Sequence, residues 1–176
     1  LTVGPAPFLP GQAHERNATA QTLQSVRSAY PPGKGSPHPI PWNLTGLKVR
    51  LVRWLASLPP VRRKFAKAWI FIDRESEADD NAEHLYRWVK EHHPEVNAWF
   101  LLDRSSTDWD RLSTEGFRLM PRSWMRKLLI LNSKHIISSH AEYMYGGFSL
   151  RYYGDMMSWR YTFLQHGISQ NDMSHW

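Results

Sequence analysis

From Ala68 onward, short apolar runs alternate with stretches whose apolar residues recur every third or fourth position. This is the pattern of strands and helices taken in turn. It restricts the fold more than any other feature, because successive β and α units build a parallel sheet with right-handed crossovers. Trp69-Ile70-Phe71-Ile72 is wholly apolar and stops at Asp73, as a buried strand does. Asp79 or Asp80 then starts a helix with the stripe Ala82, Leu85, Tyr86 and Val89. Asp79, Asp80 and Glu83 suit its positive end, Lys90, His92 and His93 suit the other, and Pro94 stops it. Val96 to Leu102 reads as a second strand, Phe117 to Met120 as a brief third after the Gly116 turn, and His135 to Ser139 as a fourth. Ser123 caps the helix before the fourth strand, with Met125, Leu128 and Leu129 facing inward. A last apolar run from Tyr161 breaks off at Gln165-His166-Gly167. The fold class is therefore α/β, a Rossmann-like parallel sheet with flanking helices.

Parallel strands all point one way, so the residues just past them gather on one edge, where open α/β sheets hold their ligands. That edge collects Asp73 and Arg74, Asp103 and Arg104, Ser138, Ser139 and His140, and Gln165 and His166. Gly167 permits backbone torsions closed to other residues and lets a substrate come near. Ser169 reads as an N-cap with Asp172 three residues on, and a helix N-terminus attracts anions. Taken singly, an Asp after a strand is a common turn residue and His166 is a simple strand cap. Taken together they describe a site. His166 is the candidate general base for deprotonating a hydroxyl. Asp73, Arg74, Ser139, His140, Gln165, Gly167 and Ser169 are candidate substrate contacts, with Arg74 and Arg104 placed to neutralise phosphate. The chemistry that suits them is transfer of a phosphorylated group from an activated donor to an alcohol.

The net charge of +6 favours an anionic partner: a phosphorylated substrate, a nucleic acid or a membrane surface. No nucleic-acid module is visible, so nucleic acid is not expected. Without Cys there is no disulfide and no thiolate zinc site. His135 and His140 fall at opposite ends of one strand, too far apart to share an ion, and no metal is expected. GxGxxG, GxxxxGK[ST] and GxSxG are all missing, so a dinucleotide fingerprint, a Walker loop and a hydrolase elbow are unsupported. No basic start followed by an apolar block marks a signal peptide, and no apolar run reaches the ~20 residues of a membrane span.

Three regions are expected. Residues 1–45, broken by prolines at both ends, read as an irregular linker or the remnant of an upstream domain. Residues 46–67 read as a basic amphipathic helix with the stripe Leu47, Leu51, Trp54, Leu55 and Leu58, ended by Pro59-Pro60. Such a helix either covers a core or lies in a membrane interface. Residues 68–176 form the Rossmann-like domain.

Several stretches carry a family resemblance. They are Asp80-Asn81-Ala82-Glu83 with Leu85-Tyr86, Trp99-Phe100-Leu101-Leu102, Leu131-Asn132-Ser133-Lys134 leading into Ile136-Ile137-Ser138-Ser139, and Phe163-Leu164-Gln165-His166-Gly167-Ile168. Together they resemble the CDP-glycerol glycerophosphotransferases, the teichoic acid and capsule polymerases of GT-B architecture. The block at His166 looks like the capsule-type branch. The resemblance implies the N-terminal, acceptor-side half of a GT-B transferase, truncated before the donor-binding domain and inactive alone. It implies His166 as base on an acceptor hydroxyl that attacks the β-phosphate of CDP-glycerol, with no cofactor beyond that donor substrate. It adds Asn81 to the candidate substrate-binding residues. The partners implied are a CDP-activated polyol donor, a polyol-phosphate or glycan acceptor, and a membrane surface met through 46–67, on the cytoplasmic face of the cell membrane. The alternatives are another GT-B enzyme using a nucleotide sugar, and a non-catalytic membrane- or anion-binding domain.

Overall fold

The computed structural model describes residues 38–140 and 146–164. Two helices precede the sheet, α1 (Leu44–Ser57) and α2 (Pro59–Phe65). The single helix expected over 46–67 is thus a pair. Pro59 has no N–H to continue the ladder and drives Leu58 into extended backbone, with ψ 135°. The same proline is suited to the first turn of the next helix. Asn43 caps α1, its side-chain oxygen accepting from the Gly46 N–H at 2.9 Å.

The remaining elements are β1 (Ala68–Ile72), α3 (Asn81–His92), β2 (Ala98–Leu101), α4 (Trp109–Thr114), β3 (Leu119–Met120), α5 (Trp124–Asn132), β4 (Ser133–Ser138), α6 (Leu150–Tyr153), a 3-10 turn (Gly154–Met156) and β5 (Arg160–Phe163). The strands form one five-stranded sheet in the order β3-β2-β1-β4-β5, and every pairing is parallel. The α/β expectation holds.

Alternate residues of each strand serve opposite faces. On one face Phe71, Phe100 and Ile137 meet Ala82, Tyr86 and Val89 of α3 and Leu112 of α4. Tyr86 is the hub: its ring packs edge-on against Phe71 and Phe100 and stacks on Phe117 at 4.3 Å. Its hydroxyl accepts the Arg118 N–H at 2.9 Å, so the buried oxygen is satisfied. On the other face Ile70, Ile72, Leu101, Ile136 and Tyr161 meet Leu128 and Leu129 of α5, Phe65 of α2, Trp159, and Val49 and Ala56 of α1.

The face by which α1 docks is not the leucine stripe. Gly46, Val49 and Ala56 turn inward, while Leu44, Leu47, Leu51 and Trp54 are 51–68% exposed. At 100° per residue the two sets lie on opposite sides of the helix. The helix is therefore apolar on both sides, and small residues were chosen for the inner one because they let it approach closely. A Cβ added at Gly46 would lie 1.7 Å from the Pro41 carbonyl oxygen.

Truncating Phe100, fully buried between the sheet and α3, should cost about 3–5 kcal/mol in urea unfolding of Phe100→Ala. Leu51→Ser, on the outer face of α1, should stay within about 0.5 kcal/mol of the parent.

Candidate active site

The strand order places the site. The chain moves outward from β1 through β2 to β3, then returns through α5 to place β4 on the other side of β1. The direction reverses between β1 and β4, and the crevice outside their carboxyl ends is where such sheets bind ligands. Asp73 and Arg74 leave β1 there, and Ser139 and His140 leave β4.

Asp73 is 1% exposed and wholly engaged. One carboxylate oxygen accepts from the Ser139 hydroxyl at 2.6 Å and the Ala82 N–H at 2.9 Å. The other accepts from the N–H groups of Glu83 at 3.1 Å and Asp80 at 3.2 Å. Asp80 covers the Asn81 N–H at 2.7 Å. The α3 N-terminus, which in a nucleotide-binding turn would face phosphate, is filled by the chain's own carboxylates. Asp73 and Ser139, candidate substrate contacts by position, are bonded to each other and to α3. Asn81 stands exposed at the first turn of α3.

The exposed part of the crevice carries Arg74 and His140. Arg74 Nε donates to His140 Nε2 at 3.2 Å, and Arg74 Nη1 to Glu77 at 3.0 Å. An accepting Nε2 leaves the ring proton of the neutral imidazole on Nδ1. The His140 backbone is held at both ends: its N–H donates to Ser138 Oγ at 3.0 Å, and its carbonyl oxygen accepts from the Tyr161 hydroxyl of β5. A guanidinium beside an imidazole can bind an anionic or hydroxylated ligand through N–H donors and a ring nitrogen.

Towards β2 and β3 the edge is cross-linked. Glu75 accepts from Arg126 at 2.7 Å and from Arg122, while Asp103 accepts the Arg122 N–H at 3.1 Å. Arg104 turns from this cluster to the face of Trp109, 5.6 Å from the ring centre.

Behind the crevice, Glu83 is a buried hub. Arg111 grips it through both oxygens at 2.7 and 2.9 Å, Arg87 adds a bond at 2.7 Å, and the Asp79 N–H another at 2.7 Å. Asp79 has φ +80°, a conformation that Asp tolerates better than most residues, and it closes the turn onto Glu83. Burial alone would raise the Glu83 pKa. The Arg111, Arg87 and Asp79 hydrogen bonds outweigh it and hold the carboxyl down at about 2. In sequence Glu83 is a helix-dipole charge. The i,i+4 spacing to Arg87 hints at a pair, but nothing local points to Arg111, whose approach depends on the β2–α4 connection. The clusters around Glu75 and Tyr161 are invisible for the same reason.

Gln165, His166, Gly167 and Ser169 lie outside the described residues. The last one described is Leu164, whose N–H donates to the Ser138 carbonyl at 2.8 Å, so β5 runs to the same edge as β4. Among the described residues no group of three His, Asp or Glu is arranged to hold a metal ion, and no helix is long and apolar enough to cross a membrane. His135 sits at the opposite end of β4 against the Trp69 ring, its pKa lowered by burial and by Lys134 and Arg160.

A parallel sheet in this order, with a polar crevice at its switch point, defines a Rossmann-like α/β domain. Over 111 residues the chain is 38% identical to the minor teichoic acid biosynthesis protein GgaB of Bacillus subtilis (strain 168), a stretch that is 61% of this chain and 12% of that protein. This similarity supports the teichoic-acid glycerophosphotransferase family, the one whose motifs the sequence resembles. The chain spans about an eighth of that relative's length. No family model and no solved structure matches it.

The Glu83 hub sets a pH dependence. A folded-state pKa of about 2 against an ordinary 4.5 means its stabilisation is complete above 4.5 and is lost as pH falls towards 2. Unfolding free energy measured across that window should fall less steeply in Glu83→Gln, which should also cost on the order of 1–3 kcal/mol at pH 7.

Proposed function

We propose that this chain is the acceptor-side half of a GT-B transferase that moves glycerol phosphate, or a related polyol phosphate, from a CDP-activated donor to a hydroxyl of a growing teichoic-acid or capsule-type polymer. The acceptor oxygen attacks the β-phosphorus, the bond to the bridging oxygen breaks, CMP leaves, and His166 takes the hydroxyl proton. The motif around His166 and the similarity to GgaB support the reaction class. The observation that carries the assignment of this half is the filled N-terminus of α3. With Asp73 and Asp80 on its amides, the turn after β1 has no room for a donor diphosphate. The donor is then held by a second domain of a longer protein, and Arg74 with His140 meets the acceptor.

A membrane surface is the second partner. The outer face of α1 offers Leu44, Leu47, Leu51 and Trp54 to solvent, and exposed Arg62, Arg63 and Lys64 on α2 and Lys67 just after it follow. Apolar side chains beside cations, with no acidic residue between Trp42 and Lys67, fit an anionic lipid interface. This would place the enzyme on the cytoplasmic face, where a CDP-activated donor is available.

The intact protein should transfer from CDP-glycerol and not from UDP-sugars, and His166→Ala should lower the rate by about 10²–10⁴ while the protein stays folded. Transfer near the parent rate would remove His166 from the role of base. Co-sedimentation with anionic vesicles should be lost when Leu47, Leu51 and Trp54 are changed to Ser together, and binding that survives would send the membrane partner elsewhere.

A further inference from the structure

Arg53 lies on α1 between the inward-facing Val49 and Ala56, and it reaches across the fold. Its Nη1 and Nη2 donate to the two carboxylate oxygens of Asp155, each at 2.7 Å, and Nη1 also donates to the Tyr152 carbonyl oxygen at 2.7 Å. The Asp155 side chain is 5% exposed. This is a planar, two-pronged pair between elements 102 residues apart in sequence.

What it grips is unusual for this fold. A β-to-β crossover in a parallel sheet normally carries a helix long enough to bury its own face. The described part of the β4–β5 connection has only the four residues of α6 and the 3-10 turn Gly154–Met156. Neither can hold its own position on the sheet. Helix α1, arriving from before β1, joins the core cluster that contains Tyr153, Met157, Trp159 and Tyr161. Arg53 ties the crossover to it. Directly after the crossover comes β5, an edge strand of four residues paired only with β4, and Leu164 follows it. His166 is two residues further on. A buried ion pair adds little net stability compared with apolar residues of the same shape, whereas its geometry is restrictive.

We propose that the Arg53–Asp155 pair clamps the β4–β5 crossover to α1, and that Arg53 is thereby a positioning residue for β5 and for Leu164 at its end. The proposal rests on the reading of His166 as base only for its consequence in transfer; the clamp itself is read from the described residues. On this view α1 is part of the reactive half, not a detachable anchor.

Amide hydrogen exchange on the intact protein tests the clamp without reference to activity. Arg53→Gln should speed exchange by about tenfold in Thr162 and Leu164, whose N–H groups face β4, and leave β1 and β2 unchanged. Asp155→Asn should do the same. Because Arg53→Gln strands a buried carboxylate, the neutral pair Arg53→Gln with Asp155→Asn is the decisive variant. It leaves no stranded charge, so its acceleration in β5 should be smaller than in Arg53→Gln but still local, and reports the lost clamp alone. In transfer assays these variants should lose kcat with the donor KM held. Unchanged exchange in β5, or equal acceleration throughout the sheet, would overturn the clamp. Local acceleration with transfer that does not depend on His166 would keep the clamp and discard the base.

Discussion

The carboxylate of Asp73 is where the architecture meets. It ends β1, fills the N-terminus of α3 and accepts a hydrogen bond from the Ser139 hydroxyl at the end of β4, joining three elements at the point where the strand order reverses. Free amides at a helix start need an acceptor, and a buried carboxylate needs donors. Each solves the other's problem. One consequence is chemical. The amides that in related architectures receive phosphate are already engaged, and Arg74 and His140 lie on the exposed side of the crevice.

The loop after β1 repeats this logic outward. Asp80 covers the Asn81 N–H, Asp79 turns its own N–H onto Glu83, and Glu83 is clasped by Arg87 and Arg111. Glu75 and Asp103 engage Arg122 and Arg126. In the loop, Glu75 is the counter-charge of Arg122 and Arg126 and Glu77 that of Arg74, as Glu83 behind them is that of Arg87 and Arg111.

Helix α1 shows a different division of labour. Val49 and Ala56 seat it in the core cluster beside α5, Arg53 clasps the crossover, and Leu44, Leu47, Leu51 and Trp54 stay outside. A periodic apolar stripe ordinarily marks the buried side of a helix. Here Leu44, Leu47, Leu51 and Trp54 lie on the exposed side, while Val49 and Ala56 face the core and Leu55 packs partly against it. Periodicity measures how apolar a face is, not which face the rest of the molecule has room for.

The alternation of apolar runs was enough to determine five parallel strands, the helices before β2 and β4, the cap at Ser123, and the edge on which Asp73, Arg74, Ser139 and His140 would lie, whereas Asp79 and Asp80 were equal candidates for the first cap. Those follow from local rules: period, capping chemistry and the single hand of β-α-β crossovers. Only the tertiary structure decided that Asp73 and Ser139 face each other, that Glu83 is buried beneath two arginines, that Pro59 begins a helix as well as ending one, and that α1 keeps Leu44, Leu47, Leu51 and Trp54 outside. Each depends on residues distant in sequence arriving at the same place, and the energy of a buried charge or a docked helix is set by those neighbours rather than by the segment that carries it.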